Sequence, residues 1–305
     1  MMTHAISDGF GHISQRRWER FQRNKLAMAS TVILCLLITT ALTAPLTETW
    51  LGLDANSVDL KSRLQGPSLD HPLGTDDLGR DIFIRLSYGG QISLAVALFA
   101  TLFSTVIGTA VGLLAGYSGG HLDSMLMRFT DGIISLPLLP LLIVLVALDL
   151  SKLGISEAST QSENIALYRI IFVIALFGWT TVARLVRAET LALKNQAFVL
   201  AAEALGASAP RIVSYHILPN IFSTIIVATT LSVGNIILLE SVLSFLGMGI
   251  QPPTASWGNM LTGSQDLMWS SPQLAIWPGM MIFFTVISFN FFGDGLQEAL
   301  DPKAS

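Results

Sequence analysis

The amino-acid sequence predicts an all-α polytopic membrane protein with six transmembrane helices, and three observations carry that reading. Only 12% of its 305 residues are charged, about half the usual share in a soluble domain. The hydrophobic share is 51% and the mean hydropathy is +0.61, as expected of a surface that faces lipid. Apolar runs of spanning length recur along the chain. A helix needs about 20 such residues to cross a hydrocarbon core of about 30 Å. Only helices and closed barrels satisfy the backbone there, and runs this long without period-two alternation exclude the barrel.

Residues 26–47 carry no charge and form the first span. Residues 92–115, also uncharged, form the second. Residues 132–148 form a short third span, kinked by Pro137 and Pro140. The fourth has a charge-free stretch at 170–183 and reaches full length if it begins near Asn164 and Arg169 snorkels to the headgroups. Residues 217–239, with Pro219 near the start, form the fifth, and 274–292 the sixth. The first apolar run starts only at Leu26, is too long for a signal-peptide core and precedes no small-residue cleavage site. It reads as a retained span.

Lys and Arg near span ends set the orientation. Arg16, Arg17, Arg20, Arg23 and Lys25 precede the first span, which places the N-terminus in the cytoplasm. Six spans return the C-terminus to the same side. Inside segments then hold 11 of the 17 Lys and Arg residues, with Arg80 and Arg85 against the trend. The resulting plan has five parts. Residues 1–25 form a cytoplasmic segment, 26–47 the first span and 48–91 an extracytoplasmic loop. Residues 92–293 form a five-helix core with an inner loop at 184–216, and 294–305 a cytoplasmic tail.

Gly108, Gly112 and Gly116 fall at spacing four on the second span. They form one smooth stripe that a neighbouring helix can approach closely. Charge inside the spans is scarce: Asp149 and Glu240 come nearest, both at outer ends. Glu240 either bonds neighbouring helices or stands at the mouth, and with Asn235 it is a candidate for the solute path. This scarcity argues against an ion-coupled carrier. Trp257, Trp269 and Trp277 fit an interfacial aromatic belt.

Other chemistry is excluded. Leu86-Ser-Tyr-Gly-Gly-Gln91 imitates an ATPase signature but carries an extra tyrosine, and no phosphate-binding loop occurs in the chain. His4, His12, His71, His121 and His216 are scattered without metal-ligand spacing. Cys35, the single cysteine, sits in an apolar run and is inert. No polar catalytic cluster, basic nucleic-acid face or cofactor motif is present, so no enzyme activity, nucleic-acid partner or cofactor is expected.

The inner loop is the most informative segment. Its early part is rich in strong helix formers. Gly206 suits the left-handed position after a helix end. Ser208 or Ala209 can cap a second helix with Pro210 in its first turn, leading into the fifth span at Pro219. A helix, a glycine corner and a second helix tied to two spans make a rigid elbow.

Leu200-Ala201-Ala202-Glu203-Ala204-Leu205-Gly206 followed by His216-Ile217-Leu218-Pro219-Asn220 resembles the EAA loop of ABC importer permeases. His71-Pro-Leu-Gly-Thr-Asp-Asp-Leu-Gly-Arg-Asp81, Ala115-Gly-Tyr-Ser-Gly-Gly120, Ser244-Phe-Leu-Gly-Met-Gly249, Pro252-Pro253 and Ser256-Trp-Gly-Asn-Met-Leu261 resemble further elements of one branch. In order and spacing these segments are similar to the dipeptide/oligopeptide/nickel family, in its second-permease (C-type) subfamily, from about Arg16 to Pro302. The resemblance implies the type I ABC importer permease fold. It also implies a multi-pass protein of the bacterial inner membrane and transport driven by alternating access. The implied partners are a homologous permease in a heterodimer, two cytoplasmic ATPases and an extracytoplasmic solute-binding protein, with membrane lipid around the chain. Peptide is the implied solute, with nickel or glutathione as alternatives. The loop around Leu200, Ala201, Ala202, Glu203, Gly206 and Pro210 would dock on the ATPase. One departure stands out: Leu200 occupies the position of the family's glutamate, so that carboxylate contact is not carried over.

Overall fold

A computed structural model of the chain describes residues 18–148 and 163–300. Among these residues the structure is helical, with no strand beyond one isolated bridge between Thr75 and Asp81. Among them, five helices are long and apolar enough to span a membrane, and a helix pair bent at its junction completes six when counted as one span.

Helix α1 (Lys25–Leu42) opens with Asn24, whose side chain accepts the Ala27 N–H at 3.1 Å. The first span was expected to run unbroken to residue 47. It stops at Leu42, and a short α2 (Ala44–Leu51) follows. The break sits beside Pro45, which lacks an N–H and crowds the preceding turn.

Helix α3 (Ile82–Ser118) starts ten residues before the expected start at residue 92. Asp81 caps it by accepting the Ile84 N–H at 2.9 Å, and the charge that marked the segment as a loop, Arg85, is paired. The third span is two helices, α4 (Gly120–Ile134) and α5 (Leu138–Val146), bent by 83°. The expected kink is therefore a full corner at Pro137. Pro140 lies in the first turn of α5, where a missing N–H leaves no bond unmade. Asp149 lies outside the described residues.

Helix α6 (Glu163–Lys194) runs past the expected end at residue 183 and absorbs Arg184 and Arg187. Each has an aspartate partner on α4: Arg187 donates to Asp123 at 2.6 Å, and Arg184 bonds Asp131. Charge that is paired does not end a helix. After α7 (Ala197–Ala204), the chain turns through α8 (Ala209–Ile212) and a π turn (Val213–Ile217) into α9 (Leu218–Phe245). The wider turn precedes Pro219, whose ring would crowd an ordinary α turn. Helix α10 (Gln273–Leu300) likewise outruns the expected sixth span and carries Pro278 within it.

The helices form one bundle in which α3 and α6 pack most extensively, with α9, α10 and α1 completing the core. Ile82, Val96, Leu142, Ile174, Ile237 and Leu243 are buried there. Leu98, Phe99, Leu102, Phe103 and Val106 on α3 point outward, and Cys35 is exposed on α1, as suits side chains against lipid.

Candidate functional site

The end that the charge bias assigns to the outside is a hydrogen-bonded cap. Asp76 accepts the backbone N–H groups of Leu78 and Arg80, both at 2.9 Å, and the Arg80 Nε at 2.7 Å. Arg85, 3% exposed, lies 3.6 Å from Asp76 and donates to the Ala55 carbonyl at 3.1 Å. His71 Nδ1 is 3.0 Å from Asp81. Gly79 has φ of 77°, and a Cβ there would lie 1.8 Å from the Asp59 carbonyl oxygen. The Ser62 hydroxyl and the Lys61 N–H hold the exposed Asp59 carboxyl below the usual carboxylate range. The segment from His71 to Asp81 is therefore a closed polar knot beneath which α3 begins.

Trp257 does not join an interfacial belt. It is 1% exposed, with its indole against Gly89 and Gly90 and its Nε1 donating to the Leu86 carbonyl at 2.9 Å. A Cβ on Gly90 would meet the indole at 3.0 Å. The segment that imitates an ATPase signature is thus a helical notch for a tryptophan. Trp269, by contrast, is exposed.

Glu240 is fully buried among helices rather than placed at a mouth. It accepts from the Ser93 hydroxyl of α3 at 3.1 Å and from Ser244 at 2.7 Å. Ser93 also accepts the Trp257 N–H at 3.1 Å, and Ser244 accepts the Ile250 N–H at 3.2 Å. One carboxyl therefore ties α3, α9 and the segment after α9 together. Asn259 braces the same segment, accepting the Ser256 N–H at 3.0 Å and donating to the Thr254 carbonyl at 2.7 Å.

A groove runs between α6 and α9. Its outer part is a cavity of about 370 Å³ reaching Ile134, Leu138 and Phe177. Its inner part is a cavity of about 600 Å³ reaching Glu189 and Gln297. Thr181, Ser232 and Asn235 line both. Asn235 lies near the middle of α9 and its amide has no partner among the described residues. The structure thus separates the two path candidates: Asn235 faces the groove and Glu240 does not.

The glycine stripe has a defined neighbour. A Cβ on Gly108 would lie 2.6 Å from the Trp179 carbonyl oxygen, one on Gly112 2.6 Å from that of Ala183, and one on Gly116 2.7 Å from the Thr190 Cβ. Backbone contact between α3 and α6 requires the absence of a side chain at each position. This fixes α6 as one wall of the groove.

The opposite end holds the elbow. Helix α7 ends in a Schellman motif: the Gly206 N–H bonds the Glu203 carbonyl at 2.9 Å and the Ala207 N–H bonds that of Ala202 at 3.0 Å. Gly206 has φ of 83°, a conformation that favours glycine. Ser208 precedes α8 and Pro210 sits in its first turn. Val199 on α7 and Ile212 and Ile217 beyond the corner pack with Val182, Val186 and Ile221. The elbow is thereby joined to α6 and α9, the two walls of the groove. Leu200, Ala201, Glu203 and Leu205 face outward, Leu200 at 50% and Leu205 at 89% exposure. Lys194 bonds the Tyr117 carbonyl and lies over its ring, 5.2 Å from the centroid, closing the inner end of α3 on α6.

Sequence reading did not single out Thr181, Ser232, Glu189 or Gln297. Their signal was present as polar residues isolated in apolar helices, but ordinary hydroxyl groups in helices bond their own backbone, as Ser232 does to Ala228 at 2.7 Å. Only the facing of α6 and α9 sets these groups around one space.

Residues 108–305 match the family described as the binding-protein-dependent transport system inner membrane component. Residues 13–67 match the N-terminal TM domain of oligopeptide transport permease C. The glutathione transport system permease proteins GsiD of Escherichia coli O6:K15:H31, Shigella boydii serotype 4 and Shigella sonnei are each similar to this chain. Each is 42% identical over 288 residues, which is 94% of this chain and 89% of the relative.

Proposed function

Because the chain belongs to the binding-protein-dependent transport system inner membrane components, the permease subunits of ABC importers, we propose that it carries short peptides, glutathione among them, through the groove between α6 and α9. It is a multi-pass inner-membrane transport subunit and not an enzyme. It pairs with a homologous permease that supplies the other half of the channel. Two ATPases lie on the inner side, and a solute-binding protein delivers from the outside. The N-terminus and the elbow face the cytoplasm, following the Lys and Arg bias.

One observation carries the path assignment. An unpartnered amide at mid-span, Asn235, stands where two cavities meet. Facing lipid, such a group would cost about 2–7 kcal/mol. Facing a solute path, it bonds water and the amides of a passing peptide.

The elbow supplies the drive. Closure of the ATPase pair pushes on α7, the corner at Gly206 transmits the push, and the shared apolar cluster moves α6 and α9. The groove walls then shift between inward and outward access. Leu200 and Leu205 make this docking contact apolar where the family uses a carboxylate.

The test is reconstitution in proteoliposomes with the partner permease, ATPases and binding protein. ATP-dependent uptake of glutathione or a short peptide is expected, with loss when any one of the three partners is omitted. Uptake by this chain alone without ATP would contradict the reading. In the same assay Asn235→Leu should lower uptake about fivefold or more with folding intact.

A further inference from the structure

The inner cavity holds one charge. Of the residues lining the two cavities, only Glu189 is ionisable, and it stands near the inner end of α6. The basic residues of the same stretch of helix are all directed elsewhere. Arg184 is paired with Asp131 and Arg187 with Asp123, both on α4. Lys194 is bonded to Tyr117 on α3. The other polar groups lining the inner cavity are uncharged hydroxyls and amides, Thr181, Ser223, Thr224, Ser232, Asn235 and Gln297, and the rest of its wall is aliphatic. The chain therefore keeps its cations on one face of α6 and presents a lone carboxylate, without a partner among the described residues, on the face that borders the cavity.

A single carboxylate among neutral hydrogen-bonding groups favours cations and disfavours anions. We propose that Glu189 is a specificity-determining residue of this half-channel, and that it binds the protonated amino group of the solute. This rests on the groove being the solute path and adds the chemical class: solutes bearing a primary ammonium group, such as peptides with a free amino terminus. The remaining polar groups, being neutral donors and acceptors, accept peptide backbones without reading side chains. The carboxylate lies inward of Asn235, so the ammonium group meets it late in passage.

The test uses the full complex in proteoliposomes with two peptides, alanyl-alanine and its N-acetyl form. Each variant is compared with the unmodified complex for the same peptide, which cancels selection by the binding protein. Glu189→Gln is expected to lower alanyl-alanine uptake at limiting concentration about tenfold and to leave N-acetyl-alanyl-alanine uptake unchanged, however slow. Glu189→Asp should retain most of the uptake of both. Equal loss for the two peptides would assign Glu189 a structural role and overturn the proposal. No loss for alanyl-alanine would overturn it as well. Asn235→Leu separates the two claims, since it should slow both peptides. If it does while Glu189→Gln does nothing, the path stands and the ammonium contact falls. If neither variant affects either peptide, the path assignment falls with it.

Discussion

At the outer end, residues 55–93 and 240–262 are stitched across the bundle by buried side chains, whereas at the inner end the chain turns through α7, Gly206 and α8 with most of its surface open. Arg85, Asp76, Asp81, Glu240 and Trp257 are each 8% exposed or less; Asp76 and Asp81 close the local turns, while the bonds of Arg85, Glu240 and Trp257 join segments far apart in sequence. The elbow is held by local backbone bonds and one apolar cluster under one side. Buried polar networks specify a single arrangement because any broken bond leaves an unsatisfied group. Local turns with few long-range contacts move at low cost. The contrast fits the proposed function, in which the outer cap holds α3 and α9 in register and the inner elbow receives motion.

Substitution of Trp257 should strike the rigid end hardest. Trp257→Ala empties the notch over Gly89 and Gly90 and removes the indole hydrogen bond to the Leu86 carbonyl. A loss of about 3–5 kcal/mol is expected, read as a large fall in thermal stability of the detergent-purified protein. Unchanged stability would mean that the cap does not hold the bundle.

A smaller effect is expected midway between the ends. Gly112→Val places a side chain where even a Cβ lies 2.6 Å from the Ala183 carbonyl oxygen. Overpacking of about 1–3 kcal/mol should follow, with α3 and α6 pushed apart. The same substitution at Gly132, where a Cβ meets nothing within 4 Å, is the control and should be far milder.

The outer motif and the elbow were legible in the sequence because both are local. Gly74, Gly79, Asp76 and Asp81 have turn and cap chemistry readable over ten residues, and so do Gly206, Ser208 and Pro210. The spacing of Gly108, Gly112 and Gly116 also announced a close helix neighbour, though not which helix. Trp257 was misplaced because an amphipathic ring in a membrane protein suits an interface, and the notch that holds it lies about 170 residues earlier. Span ends were drawn too short at Arg85, Arg184 and Arg187, since hydropathy counts a charge without its partner. The groove was legible only at Asn235. Thr181, Ser232 and Glu189 acquire meaning when α6 and α9 face each other, and single-helix periodicity does not contain that fact.

The proposed coupling depends most directly on Gly206. A valine at φ of 83° costs about 1–2 kcal/mol of backbone strain, the smallest effect on stability of the three substitutions. A Cβ there meets nothing within 4 Å, so the damage is confined to the corner. The decisive measurement is solute uptake and ATP hydrolysis by the reconstituted complex carrying Gly206→Val. Normal membrane insertion is expected, with ATP-driven uptake lost through uncoupling or release of the ATPases. Uptake equal to that of the unmodified complex would contradict it.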